Sequence, residues 1–186
     1  MSSLKKFWLS AWEILEVVLI SAVTVFIIRT FFAQPFLVSG ASMEPSFSNG
    51  NYLIIDEVTY RFREPERGEV VVFRYPKDRS VYFIKRIIGL PGERVAVQSG
   101  RVSVFSSEGG SASGGENSKE ILKEESTSGA IDVTLGNNQY FVLGDNRYNS
   151  FDSRNWGPIT KKDIIGVVRL RVFPINDFEL VTHKEY

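Results

Sequence analysis

The sequence contains no cysteine. Disulfide staples, thiolate nucleophiles and cysteine-ligated metals are thereby excluded. Histidine is almost absent too: His183, near the end of the sequence, stands alone. A Ser-His-Asp triad or a multi-histidine metal site would have to be built around that one residue, so a hydrolase on this chain needs a different base. Net charge is also missing. Lys+Arg and Asp+Glu are each 22, which leaves no basic excess to neutralise phosphates and sets nucleic acid aside as the main partner. There is no internal repeat, and no long amphipathic helix pattern after residue 36.

Within 186 residues there is room for one anchoring segment and one compact domain. Lys5 and Lys6 precede a largely apolar stretch from Phe7 to Phe32, purest in VVLISAVTVFII (Val17 to Ile28). A bilayer needs about 20 such residues. Trp8, Trp12, Ile14 and Leu15 on one side, with Phe31 and Phe32 on the other, extend the run to that length. Trp8 and Trp12 suit interfacial anchors. Glu13 and Glu16 are costly in hydrocarbon but less so near headgroups in the first turns of a helix. A cleaved leader ending at Ala33 would want a small residue where Phe31 stands, and a buried soluble helix is disfavoured by so long an apolar stretch. The two lysines favour a cytoplasmic amino terminus, although Arg29 dilutes that bias. The organisation predicted is a cytoplasmic start at 1–6, a transmembrane anchor at 7–32 and an extracytoplasmic domain at 33–186.

Beyond Phe36 short β-type runs alternate with Gly and Pro. Strands are predicted at Asn51–Ile55, Glu69–Tyr75, Val81–Ile88, Arg94–Val97, Arg101–Phe105, Gln139–Leu143 and Ile164–Phe173, with Ser99-Gly100 as a tight hairpin turn. The fold class is mainly β, an antiparallel sheet domain behind one amino-terminal transmembrane helix. From Ser106 to Ala130 the composition collapses to Ser, Gly, Glu and Lys, which predicts a flexible insertion with a short helix at KEILKEE.

Three segments carry chemistry. In VSGASMEPS (Val38 to Ser46), Gly40 permits unusual dihedrals and Pro45 stiffens the exit, a setting that exposes the Ser42 hydroxyl and aims backbone N–H groups at a developing oxyanion. An ordinary Ser/Gly turn is the plainer reading of that segment alone. In VYFIKRIIGLPGE (Val81 to Glu93), side-chain alternation puts Lys85 on an apolar face with Val81, Phe83 and Ile87, while Arg86 points the other way. Burial lowers a lysine pKa and makes it a base; an edge-strand lysine snorkelling to water fits the pattern equally. In LGDNRYNSFDSRNWGP (Leu143 to Pro158), Asp145, Arg147, Asp152 and Arg154 with Ser150 form either a solvated loop or one that orients a neighbouring lysine.

In the order SGASMEP, FIKRIIGLPGE, GDNRYNSFDSR, behind an apolar anchor, the chain resembles the bacterial type I signal peptidase family along nearly its whole length apart from 106–130. The resemblance implies a serine endopeptidase without metal or cofactor, with Ser42 as nucleophile and Lys85 as general base. Ser150 falls where the family hydrogen-bonds that lysine, Asp152 and Arg154 where it has a supporting ion pair, and Arg86 and Asp145 where it has a second structural pair. Some members carry a serine two residues before the nucleophile; here that position is Gly40, so the implied oxyanion donors are the Ser42 N–H and a backbone N–H near Gly40, and Ser39 receives no role. The implied partners are signal peptides of exported preproteins and the lipid bilayer of a bacterial cytoplasmic (inner) membrane. A self-cleaving Ser-Lys relative, which would not need an anchor, and an inactive tethered binding module are the rival readings.

Overall fold

A run such as Val70-Val71-Val72-Phe73 has no polar side to give to water, so as a strand it must be covered on both faces. That requirement shapes the molecule, a computed structural model describing residues 3–31, 34–107, 118–125, 127 and 129–183. In chain order the elements are α1 (Ser3–Phe31), β1 (Gln34–Leu37), β2 (Tyr52–Asp56), β3 (Val70–Tyr75), β4 (Asp78–Gly89), β5 (Arg94–Gln98) and β6 (Arg101–Ser107). They continue with β7 (Ser118–Glu125), β8 (Ile131–Thr134), β9 (Gln139–Leu143), α2 (Ser153–Trp156), β10 (Ile159–Thr160), β11 (Ile164–Phe173) and β12 (Glu179–Leu180). The larger sheet runs β1-β2-β11-β3-β4-β9-β10, with β12 beside β11; the smaller runs β7-β6-β5-β8. Their pairings are antiparallel.

β3 satisfies its two apolar faces separately. Val70 and Val72 pack with Met43, Leu53 and Ile55, while Val71 and Phe73 pack with Ile87, Tyr140 and Val142. β9 repeats the device: Phe141 and Leu143 turn to the smaller sheet's core around Val95, Val97 and Val102. β3, β4 and β9 are thus sandwiched in the middle of the molecule, and β4 carries the lysine. All seven runs predicted as strands form strands, with ends shifted by a few residues. Ser99 and Gly100 both take positive φ, 51° and 78°, as a two-residue hairpin turn with the twist of the flanking strands demands.

The insertion differs from its expectation. Rather than a helix at KEILKEE, the chain forms β7, paired with β6 from Arg101↔Glu125 to Ser107↔Ser118. The physical reason is that a seven-residue helix gains too little to hold itself, whereas the outer edge of β6 offers a row of unpaired N–H and C=O groups. Residues 108–117 of the insertion, like Phe32 at the end of the expected anchor, lie outside the described residues. Within α1, from Trp12 to Phe26, apolar side chains are exposed. Among the described residues no helical stretch is long and apolar enough to cross a membrane.

Candidate active site

The Ser42 turn is held from below and from the side. Met43 and Phe47 plug into the core beneath it, and Val38 exchanges hydrogen bonds with the 50–51 segment, its N–H to Asn51 O and its carbonyl to Gly50 N–H, both 2.9 Å. Gly40 takes φ +97°, in the region a side chain rarely tolerates, which lets the chain double back ahead of Ser42. From the opposite loop Asn146 clamps the turn. Its N–H donates to Ser42 O and its Nδ2 to Ala41 O, each at 3.1 Å.

Lys85 reaches this turn from β4, where it pairs with Val71 of β3. The residue is only 2% exposed. Its Nζ stands 2.7 Å from Ser42 Oγ and donates to Ile84 O at 2.8 Å, with the Phe83 ring centroid 5.4 Å away. Burial pushes its pKa down to about 8, against the upward pull of the Asp152 and Asp145 carboxylates. The neutral amine, able to take a proton, is therefore well populated near neutrality.

Two bidentate ion pairs brace the loop opposite. Asp152, fully buried as the N-cap of α2, accepts from Arg154 Nε and Nη2, each at 2.8 Å, and from Gly144 N–H at 3.1 Å. Asp145 accepts from Arg86 Nε at 2.8 Å and Nη2 at 2.6 Å. Burial works to raise the Asp145 pKa, but its hydrogen bonds to Arg86 and that guanidinium's charge hold it below the usual carboxylate range. Arg86 also donates to Gly68 O at 2.7 Å, which ties the pair to the turn before β3. Gly144 is obligatory here: a Cβ would stand 2.2 Å from Ser150 Oγ and 2.4 Å from Ser42 O.

Ser42 and Lys85 open into a cleft of about 360 Å³, walled by apolar side chains that include Phe36, Leu53, Tyr82, Ile84 and Phe151. His183 lines a different cleft with Glu66 and Arg169. Among the described residues no cluster of His, Asp and Glu could hold a metal ion.

The family model for signal peptidase, peptidase S26, matches residues 11–173. The chain belongs to the signal peptidase family, peptidase S26. A probable signal peptidase I-2 of Synechocystis sp. is 36% identical to it over 179 residues, covering 93% of this chain and 78% of its own. Signal peptidase I P of Bacillus subtilis subsp. natto is 33% identical over 173 residues, covering 87% and 89%. A solved signal peptidase I from Enterococcus faecalis aligns at 28% identity over 56% of this chain and 97% of its own, with a TM-score of 0.39, too low to add to the fold.

This S26 peptidase is thus a hydrolase, and its fold brings Ser42 and Lys85 together at one cleft, while Asp145, Ser150, Asp152 and Arg154 belong to the loop packed against the Ser42 turn and Arg86 holds Asp145 from β4. Two expected contacts are not formed. Ser150 Oγ is buried without a hydrogen-bond partner, so the expected bond to Lys85 is missing; the amine is turned to Ser42 and Ile84 instead. Gly40 N–H, expected among the oxyanion donors, is occupied by Asn49 Oδ1 at 3.0 Å. Among the described residues nothing accepts from Ser42 N–H. Asn146, which clamps the Ser42 turn, is the contact that the sequence did not single out. An asparagine between Asp and Arg in a polar loop looks like a turn former, and only its place inside the GDNR segment marked it out.

Proposed function

We propose that this S26 peptidase is a membrane-anchored serine endopeptidase that removes amino-terminal signal peptides from exported preproteins, with Ser42 and Lys85 as its dyad. The observation that carries the reading is the 2.7 Å approach of a buried lysine amine to a serine hydroxyl at the mouth of an apolar cleft. Neutral Lys85 takes the Ser42 proton as Oγ attacks the scissile carbonyl, and the resulting ammonium returns it to the leaving amine. A water deprotonated by the same amine then hydrolyses the acyl-enzyme. The free Ser42 N–H supplies one donor to the oxyanion. Gly40 supplies a second once the exposed Asn49 side chain turns away, a change costing about 1 kcal/mol, the net worth of one hydrogen bond. Asp152 and Asp145 stabilise the ammonium form electrostatically, Arg154 and Arg86 fix those carboxylates, and Ser150 offers its unpartnered hydroxyl to the amine when Ser42 is acylated.

Signal peptides carry small residues at the first and third positions before the cut, and the apolar cleft beside Ser42 is the place for those side chains. The anchor reading rests on the apolar run at 7–32 in the sequence, which falls in α1 as far as Phe31. Its described apolar side chains, among them Trp12, Val17, Ile20 and Phe26, are exposed, as befits a helix solvated by lipid. On this reading 7–32 crosses the bacterial cytoplasmic membrane once, 1–6 stays in the cytoplasm, and 33–186 works on the far side. Incubating the purified chain in detergent with a preprotein, then sequencing the product's amino terminus, tests the reading: a single cut after a small residue at the end of the leader is expected, and an untouched preprotein would overturn it.

A further inference from the structure

Thr127 lies near the end of a Ser-, Gly- and Glu-rich insertion whose composition offers no reason to bury anything. It is nonetheless 0% exposed. Its N–H donates to Gly100 O at 2.9 Å, tying it to the turn between β5 and β6. Its hydroxyl accepts from Arg147 Nη1 at 3.2 Å. Two residues later, a Cβ on Gly129 would stand 3.7 Å from Arg154 Cδ. The segment therefore lies against two arginines of the loop that braces the dyad.

Arg147 bridges this segment to the site. Its Nε donates to Gly144 O at 3.0 Å. Gly144 is the most crowded point of the loop: its N–H goes to Asp152, and its α-carbon abuts Ser150 Oγ and Ser42 O so closely that no Cβ fits. A displacement of the Gly144 carbonyl is felt at once by the nucleophile turn and by the carboxylate nearest in effect to Lys85. Thr127 suits the task of stopping that displacement, because its own backbone is hydrogen-bonded to the small sheet and its branched side chain is stiff at χ1.

We propose that Thr127 is a positioning residue for turnover, holding Arg147, and through it Gly144, in register with Ser42. The proposal rests on the Ser42–Lys85 reading and extends it into a part of the chain that looks like a spacer. The test compares wild type, Thr127→Val, Thr127→Ser, Arg147→Met and the Thr127→Val/Arg147→Met double variant, all as full chains in detergent, with Ser42→Ala alongside. kcat and KM on a preprotein are read together with thermal unfolding. Thr127→Val is expected to lower kcat about tenfold with KM held within about twofold, as for a small misalignment of reacting groups. Thr127→Ser recovers at least about half of the wild-type kcat, and the double variant is no slower than Arg147→Met alone, as expected of two residues acting through one link. Wild-type kcat in Thr127→Val, a loss that Thr127→Ser does not recover, or additive losses in the double variant would each overturn the proposal. Should Thr127→Val fail to fold, Arg147→Met decides: wild-type kcat there overturns it, and a kcat loss at unchanged KM supports it. An inactive wild type, or equal cleavage by Ser42→Ala, overturns the dyad reading and this proposal with it, a failure distinguishable from one confined to Thr127.

Discussion

Replacing Lys85 by arginine separates charge from basicity. A free lysine has a pKa near 10.4, so at pH 7 about 0.04% of it is neutral. With the burial described above the pKa stands at about 8. The neutral fraction at pH 7 is then roughly 10%, a gain of about 3 kcal/mol in access to the base form. Cleavage by the wild type should rise about tenfold from pH 7 to pH 9 and flatten as the amine finishes titrating. Arginine keeps the positive charge and much of the stem, but its guanidinium does not give up a proton in a protein. Lys85→Arg is therefore expected to be as inactive as Lys85→Ala across that range. Stability follows pH in the same direction. The folded pKa lies below the unfolded one, so the ammonium penalises folding below about pH 8, and wild-type stability rises between about pH 8 and pH 10.4. Lys85→Met removes that penalty and is expected to raise unfolding stability at pH 7 by up to about 3 kcal/mol. The assay is preprotein cleavage against pH, paired with thermal unfolding of each variant. Substantial turnover by Lys85→Arg, or a flat wild-type profile between pH 6 and 9, would refute the general-base role.

Three further outcomes are expected. Protease added to intact spheroplasts should digest the domain at 33–186, and full protection would show that the orientation drawn from Lys5 and Lys6 is reversed. Replacing residues 108–117 by a two-residue Gly-containing turn should keep activity within a few-fold, because Ser107 and Ser118 already face each other in register; a collapse of activity in a folded variant would mean that this stretch meets substrate. Asp145→Asn removes the carboxylate that is paired in two hydrogen bonds with the Arg86 guanidinium, a residue only 7% exposed. That should cost about 3 kcal/mol and lower the unfolding temperature by roughly 6–12 °C, and an unchanged melting point would show the pair to be dispensable.

Much of the site was legible because its parts break local rules. A lysine amid Phe83 and Ile87, a glycine ahead of Ser42, and two acids and two arginines directly after an apolar strand are each conspicuous in sequence, and their joint order carried the resemblance. The seven strands were legible for a similar reason, since β-branched and aromatic runs between Gly and Pro have few other solutions. The strands that escaped notice are short or polar. Glu179–Leu180 and Ile159–Thr160 are two residues each, and β7 reads as a charged helix until the open edge of β6 is known to be beside it. Tertiary context decides such segments, and composition does not record it. Thr127 and Asn146 belong to the same class: their partners, Arg147 and the Ser42 turn, are close only after folding. The side-chain arrangement at the site was equally hidden, for Ser150 turns out unpartnered and Gly40 is capped by Asn49.

The Ser42 hydroxyl is the atom on which everything else depends. Purified wild type and Ser42→Ala, matched in concentration and in melting temperature, should be incubated with the same preprotein and the amino terminus of each product sequenced. Wild type is expected to give one mature amino terminus and Ser42→Ala none, with the fold intact because only one hydroxyl has left a turn. Comparable processing by Ser42→Ala would remove Ser42 from the chemistry and, with it, the dyad.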